Sequence, residues 1–351
     1  MSKLPLTGAF YGLASAVLFG ASTPLAKLLL GSVDPWLLAG LLYLGSGLGL
    51  YAYRIVAGVS RKPRGEARLS RTDLPWLAAA ILVGGVAGPV LLMIGLSSTS
   101  ASSASLLLNL EGLATMAIAW AVYRENADRR IVIGALAILA GAALVSWQDG
   151  GLGFGMGALA IAAACLAWGI DNNLTRRVSN ADPVEIAALK GLAAGATNLV
   201  LALATGAMFP PWTIVAATGV VGLFGYGVSL VLFVLALRHV GAARSGAYFS
   251  IAPFVGALLA IALFRDPITP QLIVAALLMG FGIYLHVSER HEHGHVHEPM
   301  EHDHAHVHDE HHQHEHEAND PHGEPHSHRH RHARLAHSHP HFPDLHHAHD
   351  H

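Results

Sequence analysis

One cysteine in 351 residues leaves no partner for a disulfide, so Cys165, embedded in an apolar run, says nothing about redox compartment. Charge is scarce too, at 13% of the chain against 52% apolar residues, which is too little for an ordinary soluble domain. There is no G-x-x-x-x-G-K-[ST] stretch, so the chain does not drive its work with ATP. The loops carry no nucleophile and base at workable spacing, which argues against an enzyme, and no basic aromatic patch suggests a nucleic-acid partner. Nor is there a cleavable export signal. The first apolar stretch, from Thr7 to Leu30, is too long for a signal h-region and is expected to stay in the membrane.

Histidine is nearly absent from the first 290 residues, where only His239 and His286 occur, and 24 of the 26 lie between His291 and His351. The charges divide at the same point. Up to Arg290 there are 18 Lys and Arg against 12 Asp and Glu, a balance of +6; beyond it there are 3 against 12, a balance of −9. Two physically different objects therefore share one chain.

The first object reads as an all-α polytopic membrane protein. A hydrocarbon core about 30 Å thick takes about 20 apolar residues per helix. The chain divides into ten such spans, near 7–30, 35–57, 74–96, 102–123, 131–147, 152–173, 184–206, 212–237, 243–264 and 270–288. Loops rich in Lys and Arg face the cytoplasm. With the N-terminus inside, fifteen basic residues, from Lys3 through the Arg61–Arg71 loop to Arg290, fall on the inner side, against Arg265 and Lys27 outside. Both termini are thus expected in the cytoplasm, at the inner (plasma) membrane of a bacterium.

An internal repeat emerges between the spans. Phe19-Gly20 at the end of the first matches Trp168-Gly169 at the end of the sixth, and Asp34-Pro35 has a counterpart in Asp182-Pro183. An ungapped offset of 141 lays Arg124-Glu125 over Arg265-Asp266 and Gly141 over Gly282. An odd number of spans per repeat forces the halves, 1–148 and 149–288, to insert with opposite orientation, as secondary transporters built from inverted repeats do. The remainder, 289–351, is the tail.

These aromatic-Gly, Asp-Pro and Arg-acid pairs, together with "SIAPFVGALLAIALFRDPITPQLIVAALLMGFGIYL", resemble the EamA-like ten-helix branch of the drug/metabolite transporter superfamily over about residues 8 to 288. The resemblance implies a secondary transporter exporting a small metabolite, and it supports a role for a basic residue at the place of Lys190. One departure stands out. Where the second half has the family's proline at Pro253, the first has Gly112, directly preceded by Glu111.

A carboxylate within a span costs a few kcal/mol on insertion scales and so usually faces a cavity or a partner. Glu111, with Asn109 beside it and Thr115 one turn on, is the leading candidate for a substrate or proton pathway. Lys190 is its natural partner, on a stripe with Ala194 and Asn198 at i, i+4 and i+8. Asp171 and Asn172 are expected at the inner mouth; Tyr226 and Tyr248 are weaker candidates. For each the competing reading is structural: a snorkelling lysine, an interhelical hydrogen bond, a solvated helix end. The pairs Gly45/Gly49, Gly84/Gly88 and Gly191/Gly195 read mainly as close helix packing, with a homodimer through exposed glycine stripes left open.

The tail needs no cofactor for folding a core, since it has none to fold, and it is expected to be disordered without metal. Alternating His-x-His places imidazoles on one side of an extended chain. The candidate ligands are His291, His293, His295, His297, His302, His304, His306, His308, His311, His312, His314 and His316. Imidazole with nearby carboxylate suits Ni, Co, Zn or Cu, and affinity alone does not choose among them. Three functions are consistent with this sequence: an exporter of metal ions, an exporter of an amino acid or other metabolite whose tail only buffers or senses metal, and a membrane sensor that transports nothing.

Overall fold

The computed structural model describes residues 4–56, 69–123, 129–147, 155–178, 182–287, 292–297, 301–306, 326–331 and 335–340. Among these, the membrane part is entirely helical. Ten helices follow one another: α1 (Leu4–Leu30), α2 (Pro35–Val56), α3 (Leu74–Ser98), α4 (Ala101–Leu107 continuing as Asn109–Tyr123), α5 (Arg129–Ser146), α6 (Met156–Arg176), α7 (Pro183–Ala204), α8 (Trp212–Gly222 running on through Leu223–Val228 to Ser229–Phe249), α9 (Ala252–Phe264) and α10 (Pro270–Val287).

Burial is inverted relative to a soluble protein. Leu258 and Leu277 are each 68% exposed on the outside of the bundle, while Ser15, Ser105, Asn198 and Thr218 are fully buried. Only a hydrocarbon solvent makes that distribution favourable, because exposing such leucines to water forfeits roughly 1.5–3 kcal/mol each. Exposed Trp76, Trp120, Trp147, Trp212 and Tyr284 stand near helix ends, where amphipathic rings sit at the membrane interface. Seven helices are long and apolar enough to cross a bilayer on their own, and Ala252–Phe264 and Pro270–His286 are shorter apolar helices. The chain is therefore a polytopic all-α membrane protein.

The Asp-Pro repeat has a local cause. Asp34 Oδ1 accepts from the backbone N–H of Trp36 (2.9 Å) and Leu37 (3.2 Å), and Asp182 Oδ1 accepts from Val184 N–H (2.8 Å). Each aspartate caps a helix whose first residue is proline, the residue that has no N–H to lose there. Asp266 caps at a distance instead, accepting from Ser102 N–H (3.0 Å) and Ser102 Oγ (2.7 Å) at the start of α4. Its expected counterpart, Glu125, lies outside the described residues.

α2 packs on α7, α1 on α8 and α9, α6 on α3 and α4, α5 on α10, and α4 on α9. Exchanging each helix for the one five places away maps these neighbours onto themselves. Local deformations repeat in the same way: α3 widens to a π-helix over Ile81–Ala87 and α8 over Leu223–Val228. α4 is interrupted at Leu108, and the chain at Ser250 and Ile251 before α9, at almost the 141-residue offset. The sequence places the break before α9 at 237–243; the helix instead runs on to Phe249, since no proline in "VGAARSGAYF" removes a helical hydrogen bond.

All three glycine pairs are consumed inside the chain. A Cβ on Gly45 would meet Gly219, one on Gly84 the Asp171 carboxylate, one on Gly88 the Trp168 ring, and one on Gly191 the Gly47 backbone at 2.7 Å. These three pairs therefore serve helix packing within the chain.

The tail carries four strands in two antiparallel pairs, β1 (Glu292–His297) with β4 (Leu335–Pro340) and β2 (Glu301–His306) with β3 (His326–Arg331). At these positions the backbone is paired rather than irregular as expected, since a period-two His-x-His alternation is a strand pattern.

Gly191→Leu is expected to lower stability in detergent by about 1–3 kcal/mol, the usual cost of forcing side-chain volume into a filled interface. Gly31→Ala, whose nearest foreign atom would lie at an ordinary 3.8 Å, should leave the melting temperature within a degree or two. Thermal unfolding of both purified variants checks this.

Candidate functional site

Where α6 faces α3, α4 and α7, polar side chains gather in the interior of the bundle. Lys190 Nζ on α7 donates to both carboxylate oxygens of Asp171 on α6, at 2.6 and 2.8 Å, and to Thr175 Oγ1 at 3.1 Å. Thr175 in turn donates to Asp171 Oδ1 (2.9 Å). The pair is nearly enclosed, with side chains 17% and 10% exposed, so its attraction is weakly screened. Asp171 reaches Lys190 because Gly84 yields the space: a Cβ there would lie 2.1 Å from Asp171 Oδ2.

At the next residue of α6 the chemistry changes. Asn172 Nδ2 donates to Glu111 Oε1 and to Thr115 Oγ1, both at 3.1 Å, and Thr115 Oγ1 donates to the Glu111 carbonyl (2.9 Å). Glu111 sits in the first turn of the segment that restarts after the interruption of α4, where unpaired N–H groups favour an acidic side chain. It makes no ion pair among the described residues. The expected Glu111–Lys190 pair is therefore not formed: Lys190 is claimed by Asp171, which presents two oxygens where Glu111 has an amide as its neighbour.

The Lys190–Ala194–Asn198 stripe does face the bundle, but its members have separate tasks. Asn198 Nδ2 donates to Gly85 O (3.1 Å), and Ala194 packs where a Cβ on Gly85 would fall. Trp168 Nε1 donates to Gly84 O at 2.9 Å, and Tyr43 Oη lies 3.4 Å from the same oxygen. The π-helical stretch of α3 thus turns two carbonyls toward side-chain donors. Asn109 closes the break in α4, donating to Leu106 O (2.8 Å) and contacting Met279 Sδ (3.6 Å), and takes no part in the Glu111 cluster. Tyr248 packs beside Gly12 on α1, also apart from it.

Tyr226 belongs to a wall of rings. It meets Tyr43 at 5.5 Å between centroids and Phe19 edge-on at 6.1 Å, and Phe19 meets Phe249 at 5.2 Å. Sequence reasoning missed this wall and the parts played by Thr175, Tyr43 and Trp168. The Phe19-Gly20 and Trp168-Gly169 repeat was the available signal: each glycine admits a neighbouring backbone, Ala252 O for Gly20 and Ala114 for Gly169.

Toward the N-terminal end of α7, Arg54 Nη1 stands 3.6 Å from both Asp182 Oδ2 and Glu185 Oε2, tying α2 to α7. At the opposite end of the bundle Lys27 Nζ donates to the carbonyls of Leu96 and Thr99 at the end of α3. A recess of about 390 Å³ beside it, lined by Ser98, Ser100, Ser103, Ser146 and Gly157 among others, lies away from the charged cluster.

In the tail, His293, His295 and His297 lie on β1 and His302, His304 and His306 on β2. His291, His308, His311, His312, His314 and His316 lie outside the described residues.

Ten lipid-facing helices with interrupted members and an interior cluster of charge define a membrane transporter. The chain belongs to the EamA-like transporter family, which it matches over residues 6–147 and 155–288. An uncharacterized transporter of Methanothermobacter thermautotrophicus is 27% identical over 289 residues, covering 78% of this chain and 84% of its own. A protein known from its crystal structure has the same fold, with a TM-score of 0.59 at 22% identity over 80% of this chain and 95% of its own.

Neutralising one member of the buried pair strands the other. Asp171→Asn and Lys190→Met are each expected to cost about 3 kcal/mol of stability, and the double variant to recover part of that loss. Melting of the three variants in detergent measures the coupling; additive losses would show that the pair does not act as a unit.

Proposed function

We propose that the chain is a gradient-driven exporter of a small solute at a bacterial inner membrane, with both termini in the cytoplasm. The halves 1–148 and 149–288 rock against each other around the chamber bounded by Glu111, Asn172, Asp171 and Lys190. The observation that carries this reading is Glu111: an acidic side chain within a span, at an interrupted helix, held by an amide and, among the described residues, by no cation. Such a group is poised to exchange a proton for a solute, which is how a gradient does work. Asn172, on the same cluster, is exposed, so a solute has access to it.

The tail, 289–351, binds divalent transition-metal ions on the cytoplasmic side, as its alternating histidines and carboxylates favour for Ni, Co, Zn or Cu. Metal then either reaches the chamber as cargo or reports on the cytosol. Efflux of Ni, Co or Zn is the first of these.

Expression in a host stripped of its own metal exporters separates the two. If metal is the cargo, full-length protein raises growth on nickel, cobalt or zinc, deletion of 291–351 weakens that tolerance at least two-fold, and Glu111→Gln abolishes it. If no metal affects growth while Glu111-dependent flux of a metabolite persists in proteoliposomes, metal is not the cargo. If Glu111→Gln and Lys190→Ala leave every flux unchanged, transport through this chamber is refuted.

A further inference from the structure

Charge balance inside the chamber identifies the class of solute. Lys190 and Asp171 cancel each other through two short hydrogen bonds, so neither is free to bind an ion of either sign without breaking that pair. Glu111 is left over. Its neighbours, Asn172 and Thr115, are neutral, and no basic side chain pairs with it among the described residues. When ionised, it leaves the interior one negative charge in excess. At the 141-residue offset Glu111 corresponds to Ala252, which is fully buried, so the second half does not repeat the carboxylate.

The wall beyond Glu111 is aromatic rather than polar. Tyr43, Tyr226, Phe19 and Phe249 form a continuous series of ring contacts from 5.2 to 6.1 Å apart, and Tyr43 Oη reaches the carbonyl of Gly84, the glycine that Asp171 packs against next to Asn172. Ring faces carry negative potential and attract cations, and they do so most strongly where water is excluded. A hydrated divalent metal gains little from such a wall, since it wants several oxygen or nitrogen ligands and finds one carboxylate, an amide and a hydroxyl. A solute carboxylate would face Glu111 with like charge.

From this geometry we infer that the chamber takes an organic monocation, a protonated amine with an apolar or aromatic body, with its ammonium on Glu111 and its body against Tyr43, Tyr226 and Phe19. The inference rests on the transport reading only for the solute's passage; binding stands by itself. It also separates the two metal roles, assigning metal to the tail and the amine to the chamber.

Purified full-length protein titrated with phenethylammonium and with its neutral counterpart, 2-phenylethanol, tests the charge requirement. The cation should bind at least ten-fold more tightly. Glu111→Gln should erase that preference, Glu111→Asp should keep part of it, and Tyr226→Leu should weaken the cation at least three-fold, all with melting temperatures near that of the parent. Tighter binding of phenylalanine or phenylacetate than of the amine overturns the inference, as does an undiminished preference in Glu111→Gln, or Glu111-dependent binding of nickel alone. Amine binding without flux in proteoliposomes would refute transport but uphold the site; Glu111-dependent flux of a zwitterion without amine binding would do the reverse.

Discussion

The bond between Lys190 and Asp171 organises the interior. Two opposite charges in a low-dielectric bundle attract strongly, and their separation would leave each with an uncompensated desolvation cost. That cost fixes how α6 and α7 approach, and so the depth at which Asn172 presents its amide to Glu111. Gly84 is the enabling residue, since any side chain there would occupy the place of the Asp171 carboxylate. α3 accommodates the arrangement by widening over Ile81–Ala87 and turning the carbonyls of Gly84 and Gly85 toward Trp168 and Asn198. A backbone group in lipid must find a partner within the protein, so irregular helix appears only where side chains can satisfy it.

Two kinds of contact hold the helices together. Glycines at the crossings of α2 with α7 and of α3 with α6 bring backbones close, and dispersion supplies the attraction that the hydrophobic effect does not supply inside a membrane. Capping and ion pairs act at the ends: Asp34 and Asp182 on their own helices, Asp266 on α4, Arg54 between α2 and α7, Lys27 on the last carbonyls of α3. These end contacts surround a middle whose charge is concentrated on α4, α6 and α7. The second half repeats the π-helical stretch and the interruption without repeating the carboxylate, so the scaffold is nearly symmetric while its charge is not.

Much was legible in the residues because membrane insertion imposes such strong rules. Span lengths follow from bilayer thickness, and the Asp-Pro pairs mark helix starts because proline costs nothing at a first helical position. Glu111, Lys190, Asp171 and Asn172 stood out as polar groups in apolar surroundings, which hydropathy makes conspicuous. Their pairing was not legible. From spacing alone Lys190 reads as the partner of Glu111; in space it meets Asp171, for which the π-helical turn in α3 leaves room, a deformation with no sequence mark beyond a local excess of glycine. Asn109 and Asn198 look like ligands for the same reason that Asn172 does, yet they satisfy backbone carbonyls.

What the sequence determined by itself was the number of helices, their capped beginnings and the polar residues that had to be hidden from lipid, since each of these follows from transfer energies of individual segments. Tertiary structure alone decided that Lys190 neutralises Asp171, that Glu111 keeps an amide as its neighbour, and that four rings from three helices share one wall. Those depend on distances between segments far apart along the chain, and the close approach of glycine-bearing backbones sets them.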